Sequence, residues 1–286
     1  MSQFHRTIAA VSPAGIHDPK KLQESIDLVE TWGHKVICAP NHAQQHLYTA
    51  GTIGERVADL HWAIEHPEID TIWFIRGGYG TAQLLPFLHE SCHKPIIGFS
   101  DATALLAHGW HPKQRLQWPN LYHGPVLNSV STLCDDTSKQ HMRHWLNTGD
   151  CPTITATHAF GPAHTIEGPM VGGNLCVLAS ICGSETLPPR IFEGCILALE
   201  DISEPLYKID RMLLQLQISG VLEGVKGILM GSFHNCNPPT SASYTLLDVF
   251  KERLLHLQFP VYVNAPFGHN EVNWIWKHGK TIRLHA

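Results

Sequence analysis

The chain has 286 residues, of which 43% are hydrophobic and 16% charged, and its formal net charge is −5. This length and composition suit one large domain or two modest ones, and they exclude a disordered chain. No basic run indicates a nucleic-acid partner and no apolar run approaches the ~18 residues of a membrane span, so we expect a cytoplasmic protein with neither kind of partner.

The first half of the chain alternates short apolar runs with amphipathic stretches, so strands and helices are predicted in turn. The predicted strands are residues 8–11, 36–38, 71–75 and 95–98, and the predicted helices are residues 19–32, 53–66, 81–88 and a segment through 105–106. Asp18 is expected to cap the first helix and Gly33 to end it. This alternation predicts an N-terminal α/β domain, residues 1–147, with a Rossmann-like parallel sheet covered by helices on both faces.

The pattern weakens after about Asn147. Residues 148–167 are rich in Pro, Thr, Gly and His and are predicted to be a linker. Residues 168–286 are predicted to form a mixed α/β domain rich in strands. Its predicted elements are a helix after residues 172–174, strands at 195–199, 227–230 and 261–263, and a helix at 209–216.

Ser100 is the first candidate for chemistry, because it follows the fourth strand in the sequence Gly-Phe-Ser-Asp and precedes a helical pattern. A serine at such a corner stands clear of the sheet, near the free N–H groups of a helix N-terminus, which favour developing negative charge. The second glycine of the G-x-S-x-G motif is absent, so a simple helix N-cap is the alternative.

A glycine-rich loop, residues 76–80, directly follows the third strand. Glycines let backbone N–H groups approach a ligand closely, as in a phosphate loop or an oxyanion hole. Gln83 stands where a third dinucleotide-binding glycine would be, and no Gly-Lys-Ser/Thr follows, so the nucleotide interpretation is weak. An oxyanion hole beside Ser100 explains the same glycines, with a tight turn as the alternative.

Glu200 and Asp201 lie where an apolar strand ends, and a charge in such a place must be paired or solvated. A capping acid is the alternative. His269 lies in a Gly-His-Asn loop, and composition alone would not select it among 21 histidines. Together with Ser100 and the glycine loop, these residues supply a nucleophile, a base, an orienting carboxylate and an anion site.

The remaining cysteines and histidines do not indicate a metal or a disulfide framework. The eight cysteines contain no C-x-x-C pair and are expected to be free thiols. His89 and His93 lie four residues apart and could share a helix face as metal ligands, but no third ligand is evident. We therefore expect neither a metal nor another cofactor.

Five motifs occur in the order found in the LD-carboxypeptidases, a serine peptidase family that includes the microcin C immunity peptidases. The motifs are residues 76–80, 98–101, 172–175, 199–201 and 268–269, and segments 123–125 and 209–213 also resemble the family. The resemblance implies a Ser–His–Glu triad with Ser100 as nucleophile, His269 as general base and Glu200 as the residue that orients the base. It also implies an oxyanion hole from the backbone N–H groups of Gly78 and Asp101.

The resemblance further implies that the N-terminal domain supplies the serine and the C-terminal domain supplies the other two residues. Members of the family typically cut the L,D-peptide bond to the terminal D-Ala of murein tetrapeptide, in cytoplasmic peptidoglycan recycling, commonly as homodimers. Arg76 or Arg211 could bind the terminal carboxylate of the substrate, and Gly77 and Asn174 are further candidate substrate-binding residues.

Two departures from the family pattern lie near His269. Asn270 replaces the usual glycine, and Trp274 and Trp276 stand where Leu-Pro is common. Tryptophans that stack on a base would favour a second hypothesis, a hydrolase of aminoacyl-nucleotide antibiotics. A third hypothesis is a non-enzymatic small-molecule binder on the same fold, for which Ser100→Ala would change nothing.

Overall fold

The computed structural model describes residues 5–286 and contains two compact units. The first unit runs to Pro152 and also includes Glu271–Lys277, and the second consists of Thr153–Asn270 and His278–Ala286. Residues 271–277 lie within the predicted C-terminal domain, residues 168–286. They belong to the first unit because a two-residue strand, Trp276–Lys277, pairs with a strand of that unit's sheet.

Within residues 5–286 the chain forms twelve strands and eight α-helices. The strands are β1 Thr7–Val11, β2 Lys35–Cys38, β3 Thr71–Phe74, β4 Ile96–Gly98, β5 Leu121–His123, β6 Thr157–Phe160, β7 Ile166–Asn174, β8 Ile196–Ile202, β9 Gly227–His234, β10 Val261–Val263, β11 Trp276–Lys277 and β12 Thr281–Leu284. The helices are α1 Pro19–Thr31, α2 Ile53–Glu65, α3 Thr103–Trp110, α4 Leu127–Val130, α5 Asp136–Thr148, α6 Leu175–Ser180, α7 Leu206–Ile218 and α8 Leu246–Leu254.

The sheet of the first unit has the strand order β11-β5-β4-β3-β1-β2. All neighbours are parallel except β11, which is antiparallel to β5. Side chains of β1 alternate between two cores, because successive residues of a strand point to opposite faces. Ile8 and Ala10 pack with α1 and α5, whereas Ala9 and Val11 pack with α2 and α3. The predicted parallel sheet with helices on both faces is confirmed.

Helices α1 and α2 of the first unit begin at side-chain caps. Asp18 accepts hydrogen bonds from the backbone N–H groups of Lys20 and Lys21, as predicted, and Thr52 forms a capping box with Glu55 at the start of α2. The longest helices among residues 5–286 have 13 residues, and none is long and apolar enough to cross a membrane.

The helix predicted for residues 81–88 is instead a 3₁₀ helix, Thr81–Phe87. Pro86 lies inside it, and proline has no N–H and a ring that clashes with the carbonyl four residues earlier. The tighter 3₁₀ turn accommodates this residue in a short segment. A helix therefore lies where one was predicted, but it is a 3₁₀ helix and not an α-helix.

The sheet of the second unit has the order β12-β7-β8-β9-β10-β6. Its four central strands are parallel and its two outer strands are antiparallel to their neighbours. Helix α7 packs against α6 and α8. This mixed sheet agrees with the predicted α/β domain rich in strands.

The segment predicted to be a linker, residues 148–167, includes two stretches of β-strand. It contains β6, which pairs with β10, and the first residues of β7. The composition of β6, Thr-His-Ala-Phe, lacks a continuous apolar run, so its strand character comes from pairing with a distant segment rather than from its own sequence.

Candidate active site

Ser100 lies at a sharp corner between strand and helix in the first unit. Strand β4 ends at Gly98, a single 3₁₀ turn covers Ser100–Ala102, and α3 follows from Thr103. The half-buried Ser100 has φ of +61°, in the left-handed region that residues other than glycine rarely adopt. Strain of this kind is typical of functional corners, where the turn exposes a nucleophile above the sheet.

The glycine loop passes directly against this serine. A Cβ atom at Gly77 would lie 2.9 Å from both Cβ and Oγ of Ser100, so only glycine fits at this position. The carbonyl of Gly77 accepts a hydrogen bond of 3.0 Å from the N–H of Gly15, which braces the loop on its other side. Bare backbone therefore runs beside the hydroxyl, as an oxyanion hole requires.

The carboxylate of Asp101 is buried and faces the same loop. Its Oδ2 accepts a hydrogen bond of 2.7 Å from the N–H of Thr81. Burial raises the pKa of Asp101, while hydrogen bonds from Thr81 and the charge of Arg56 lower it in part. The side chain of Asp101 thus binds the backbone at the end of the glycine loop.

Arg56 was not among the predicted site residues, and it is only 2% exposed on the inner face of α2. Its guanidinium donates hydrogen bonds to the carbonyls of Pro13, Gly51 and Gly80 and to Oε1 of Gln83. The helical periodicity indicates that this arginine is buried, because residue 56 falls on the same face of α2 as the buried residues 60 and 63.

In the second unit, Glu200 and His269 form a hydrogen-bonded pair. Glu200 lies within β8 and is fully buried, and Nδ1 of His269 lies 2.5 Å from its Oε2. Burial alone would lower the pKa of His269, but the charge of Glu200, their hydrogen bond and the charge of Asp201 together raise it above the ordinary value. An ionised carboxylate only accepts, so this contact leaves Nε2 of His269 as the basic nitrogen.

Asp201 follows Glu200 on β8, and Asn174 ends the neighbouring strand β7. Nδ2 of Asn174 donates to Oδ1 of Asp201 at 3.1 Å, and its Oδ1 accepts from the N–H of Val177 as the N-cap of α6. Burial raises the pKa of Asp201 to about 6, with its hydrogen bonds opposing the shift. Asn174 was predicted to bind substrate, whereas both ends of its amide contact groups of its own unit.

The two candidate arginines have different surroundings. Arg76 begins the glycine loop, is exposed, and donates a hydrogen bond to the carbonyl of Ile16. Arg211 lies on the exposed side of α7, with its guanidinium 5.5 Å from the ring centre of Tyr207. Arg76 is therefore the arginine that shares a loop with Gly77 and Gly78.

The two tryptophans after His269 pack within the first unit. Trp276 is buried and its ring stacks on His123 at 4.9 Å, while Trp274 meets His141 edge-on at 4.4 Å. Trp276 thus contributes to the core through β11 rather than offering a free face to a ligand.

The paired histidines do not share a helix. Residues 89–93 follow the 3₁₀ helix in irregular backbone, and Nε2 of His89 lies 2.9 Å from a carboxylate oxygen of Glu65. In the part of the chain that the structure describes, residues 5–286, no group of three or more His, Cys, Asp or Glu side chains could hold a metal ion.

Comparison with known proteins gives matches along most of the chain. The family model for the LD-carboxypeptidase N-terminal domain matches residues 8–122, and the model for the LD-carboxypeptidase C-terminal domain matches residues 167–284. The murein tetrapeptide carboxypeptidase of Pseudomonas aeruginosa is 31% identical, over 97% of this chain and 92% of the relative. The microcin C7 self-immunity protein MccF of Escherichia coli is 27% identical, over 87% and 81% of the two chains.

Solved structures show the same fold. The crystal structure of muramoyltetrapeptide carboxypeptidase from Oxalobacter formigenes superimposes with a TM-score of 0.84 at 27% identity, covering 98% of this chain and 95% of that one. MccF in complex with glutamyl sulfamoyl guanosine has a TM-score of 0.85 at 23% identity, covering 99% and 94%. The predicted α/β fold is confirmed by these matches.

Proposed function

Because this chain belongs to the LD-carboxypeptidase family of serine peptidases, we propose that it removes the terminal D-Ala from murein tetrapeptide by hydrolysing the L,D-peptide bond. The observation that carries the proposal is the strained Ser100, with the bare backbone of Gly77 against its hydroxyl. The choice of substrate rests on relatives named for murein peptides, which include the Pseudomonas aeruginosa enzyme.

The proposed reaction is acyl transfer through a covalent intermediate. Nε2 of His269 removes the proton of Ser100 as the hydroxyl attacks the carbonyl carbon next to the terminal residue. Backbone N–H groups of Gly78 and Asp101 stabilise the resulting oxyanion, an effect typically of about 3–4 kcal/mol per donor. His269 then protonates the leaving amine, and water hydrolyses the acyl-enzyme.

Glu200 has an orienting role in this proposal. Its hydrogen bond to Nδ1 of His269 supports the tautomer in which Nε2 can accept a proton, and its charge stabilises the imidazolium that forms. The same interaction with Glu200 raises the pKa of His269 before substrate binds.

We assign recognition of the free terminal carboxylate to Arg76. Arg76 is exposed and lies in the same loop as Gly77. The guanidinium of Arg211 instead lies over the ring of Tyr207 on α7. Asn174 is better explained as a positioning residue for Asp201. The cytoplasmic location and the homodimer stay predictions.

The decisive experiment is incubation of the protein with murein tetrapeptide, followed by mass spectrometry of the products. We expect the loss of one alanine with the wild type, none with Ser100→Ala or His269→Ala, and a strongly slowed loss with Glu200→Gln, each variant being checked for native folding by circular dichroism. Cleavage by a folded Ser100→Ala variant would contradict the role of the serine.

An aminoacyl-sulfamoyl adenosine incubated in parallel tests the second hypothesis, a hydrolase like the MccF relative. Trp276 gives little support to that hypothesis, because its ring is already stacked on His123 in the core. Cleavage of the nucleotide compound with an intact tetrapeptide would replace the proposed substrate while keeping the catalytic residues. Binding of either compound without any turnover would favour the non-enzymatic binder.

A further inference from the structure

We propose that Arg56 and Asp101 are positioning residues that hold one peptide group of the glycine loop and thereby set the spacing of the two oxyanion donors. We call this arrangement the peptide clamp: Arg56 and Asp101 on the Gly80–Thr81 peptide. The inference rests on the proposed function, because it assigns the donors to Gly78 and Asp101.

The two charged groups hold opposite ends of the same peptide. Nη1 of Arg56 donates to the carbonyl of Gly80 at 2.9 Å, and the N–H of Thr81 donates to Oδ2 of Asp101 at 2.7 Å. The carbonyl of Gly80 and the N–H of Thr81 belong to one planar group, so a cation binds its negative end and an anion its positive end. A rotation of this peptide plane would break both charge-assisted bonds.

Further hydrogen bonds hold the guanidinium of Arg56 in place, so that it can fix the position of the loop. Nη1 also donates to the carbonyl of Pro13 at 2.7 Å, Nη2 to Oε1 of Gln83 at 2.6 Å, and Nε to the carbonyl of Gly51 at 3.3 Å. The planar guanidinium can serve these acceptors simultaneously in a fixed geometry, which a lysine ammonium cannot reproduce.

Gly80 is required at this position because the cation lies so close. A Cβ at residue 80 would be 2.5 Å from Nη1 of Arg56, and the φ of +133° is one that other residues rarely adopt. The glycine therefore permits both the turn of the loop and the contact with the guanidinium.

Asp101 couples the two donors, because its backbone N–H is one of them and its carboxylate holds the loop that carries the other. A shift of the Gly80–Thr81 peptide would move the backbone at Gly78 relative to Ser100. Small displacements of transition-state donors reduce rates strongly, since a misplacement of about 1 Å can cost on the order of 100-fold. The clamp is thus expected to affect the chemical step rather than substrate binding.

The test compares Arg56→Lys, Asp101→Asn and Asp101→Ala with the wild type. We expect kcat for murein tetrapeptide to fall about 10- to 100-fold in Arg56→Lys and Asp101→Ala, with KM within about twofold. Asp101→Asn keeps an acceptor oxygen for the N–H of Thr81, so it should retain more of the rate than Asp101→Ala.

Two matched variants control for general damage to the first unit. Asp59→Asn changes an equally buried acid on α2 that accepts hydrogen bonds from Asn41 instead of the glycine loop. Arg6→Lys changes another arginine that donates to a backbone carbonyl, that of Leu146. Both are expected to keep kcat within about twofold of the wild type, even if their unfolding midpoints fall.

A second readout is the rate at which a fluorophosphonate labels Ser100, because this reagent needs the oxyanion donors but not the peptide. Arg56→Lys and Asp101→Ala should slow labelling by the same factor as kcat. Labelling of the wild type without cleavage of the tetrapeptide would reject the proposed substrate and leave the clamp to be judged by the labelling rates. Unchanged labelling in folded Arg56→Lys, or an equal loss in Asp59→Asn, would overturn the clamp.

Discussion

The backbone strain at Ser100 predicts a conflict between activity and stability at that residue. A glycine adopts φ of +61° without the steric cost that serine has there. We therefore expect Ser100→Gly to raise the free energy of unfolding by about 1 kcal/mol relative to Ser100→Ala, measured by urea denaturation, with both variants inactive. Gln258, which has φ of +60° after the last 3₁₀ turn, is the control. Gln258→Gly should have a higher free energy of unfolding than Gln258→Ala by a similar amount, and both variants should stay active. Equal stabilities of the Gly and Ala variants at residue 100 would show that the corner is unstrained.

The pKa of His269 predicts the acid limb of the pH–rate profile. A general base must be neutral, so activity is lost as pH falls through the raised pKa of this residue. Glu200→Gln removes the charge that raises the pKa, so the acid limb of kcat/KM should move to lower pH. The rate should also fall on the order of 10³- to 10⁴-fold, because the imidazolium loses its partner. If the acid limb of Glu200→Gln lies at the same pH as that of the wild type, the limb reports the titration of a group other than His269.

At the scale of single elements, the loop from β3 to the 3₁₀ helix depends on the absence of side chains. Gly77→Ala would place a Cβ 2.9 Å from Ser100, closer than normal contact, so loop and corner must separate. We expect a loss of about 1–3 kcal/mol in unfolding free energy and at least about 100-fold in kcat. Gly54→Ala is the matched control, because a Cβ there meets nothing within 4 Å and α2 should gain stability without change in rate. Equal kinetics in the two variants would contradict the close approach.

At the scale of the whole molecule, buried histidines predict sensitivity to acid. Burial lowers the pKa of His278 from 6.5 to about 3, and its Nε2 accepts a hydrogen bond from the N–H of Gly172. Between these values the unfolded chain binds a proton that the folded chain does not. The contribution of His278 to the unfolding free energy is therefore fully retained above pH 6.5 and falls below it, by up to about 1.4 kcal/mol per pH unit.

Urea denaturation at pH 7.5, 6.5, 5.5 and 4.5 measures this effect. His278→Gln should be less stable than the wild type at neutral pH, and the difference between the two should shrink as pH falls below 6.5. His17, whose pKa burial lowers to about 4, contributes in the same direction from the first unit. Parallel curves for His278→Gln and the wild type would show that His278 does not titrate on unfolding.

Much of the architecture could be predicted from the sequence, because apolar periodicity, helix caps and glycine turns act over a few neighbouring residues. Strands β1 to β4, the caps of α1 and the corner at Ser100 follow from such local signals. The motifs also selected Glu200 and His269, which the structure joins by a hydrogen bond.

The tertiary structure decided what depends on distant partners. Strand β6 is stabilised by pairing with β10, and residues 276–277 join the first sheet by pairing with β5. Arg56 acquires its role only because three segments far apart in the chain place carbonyls around it. Local sequence determines which conformation a segment prefers, whereas the partner of an edge strand or a buried charge is set by the packing of the complete chain.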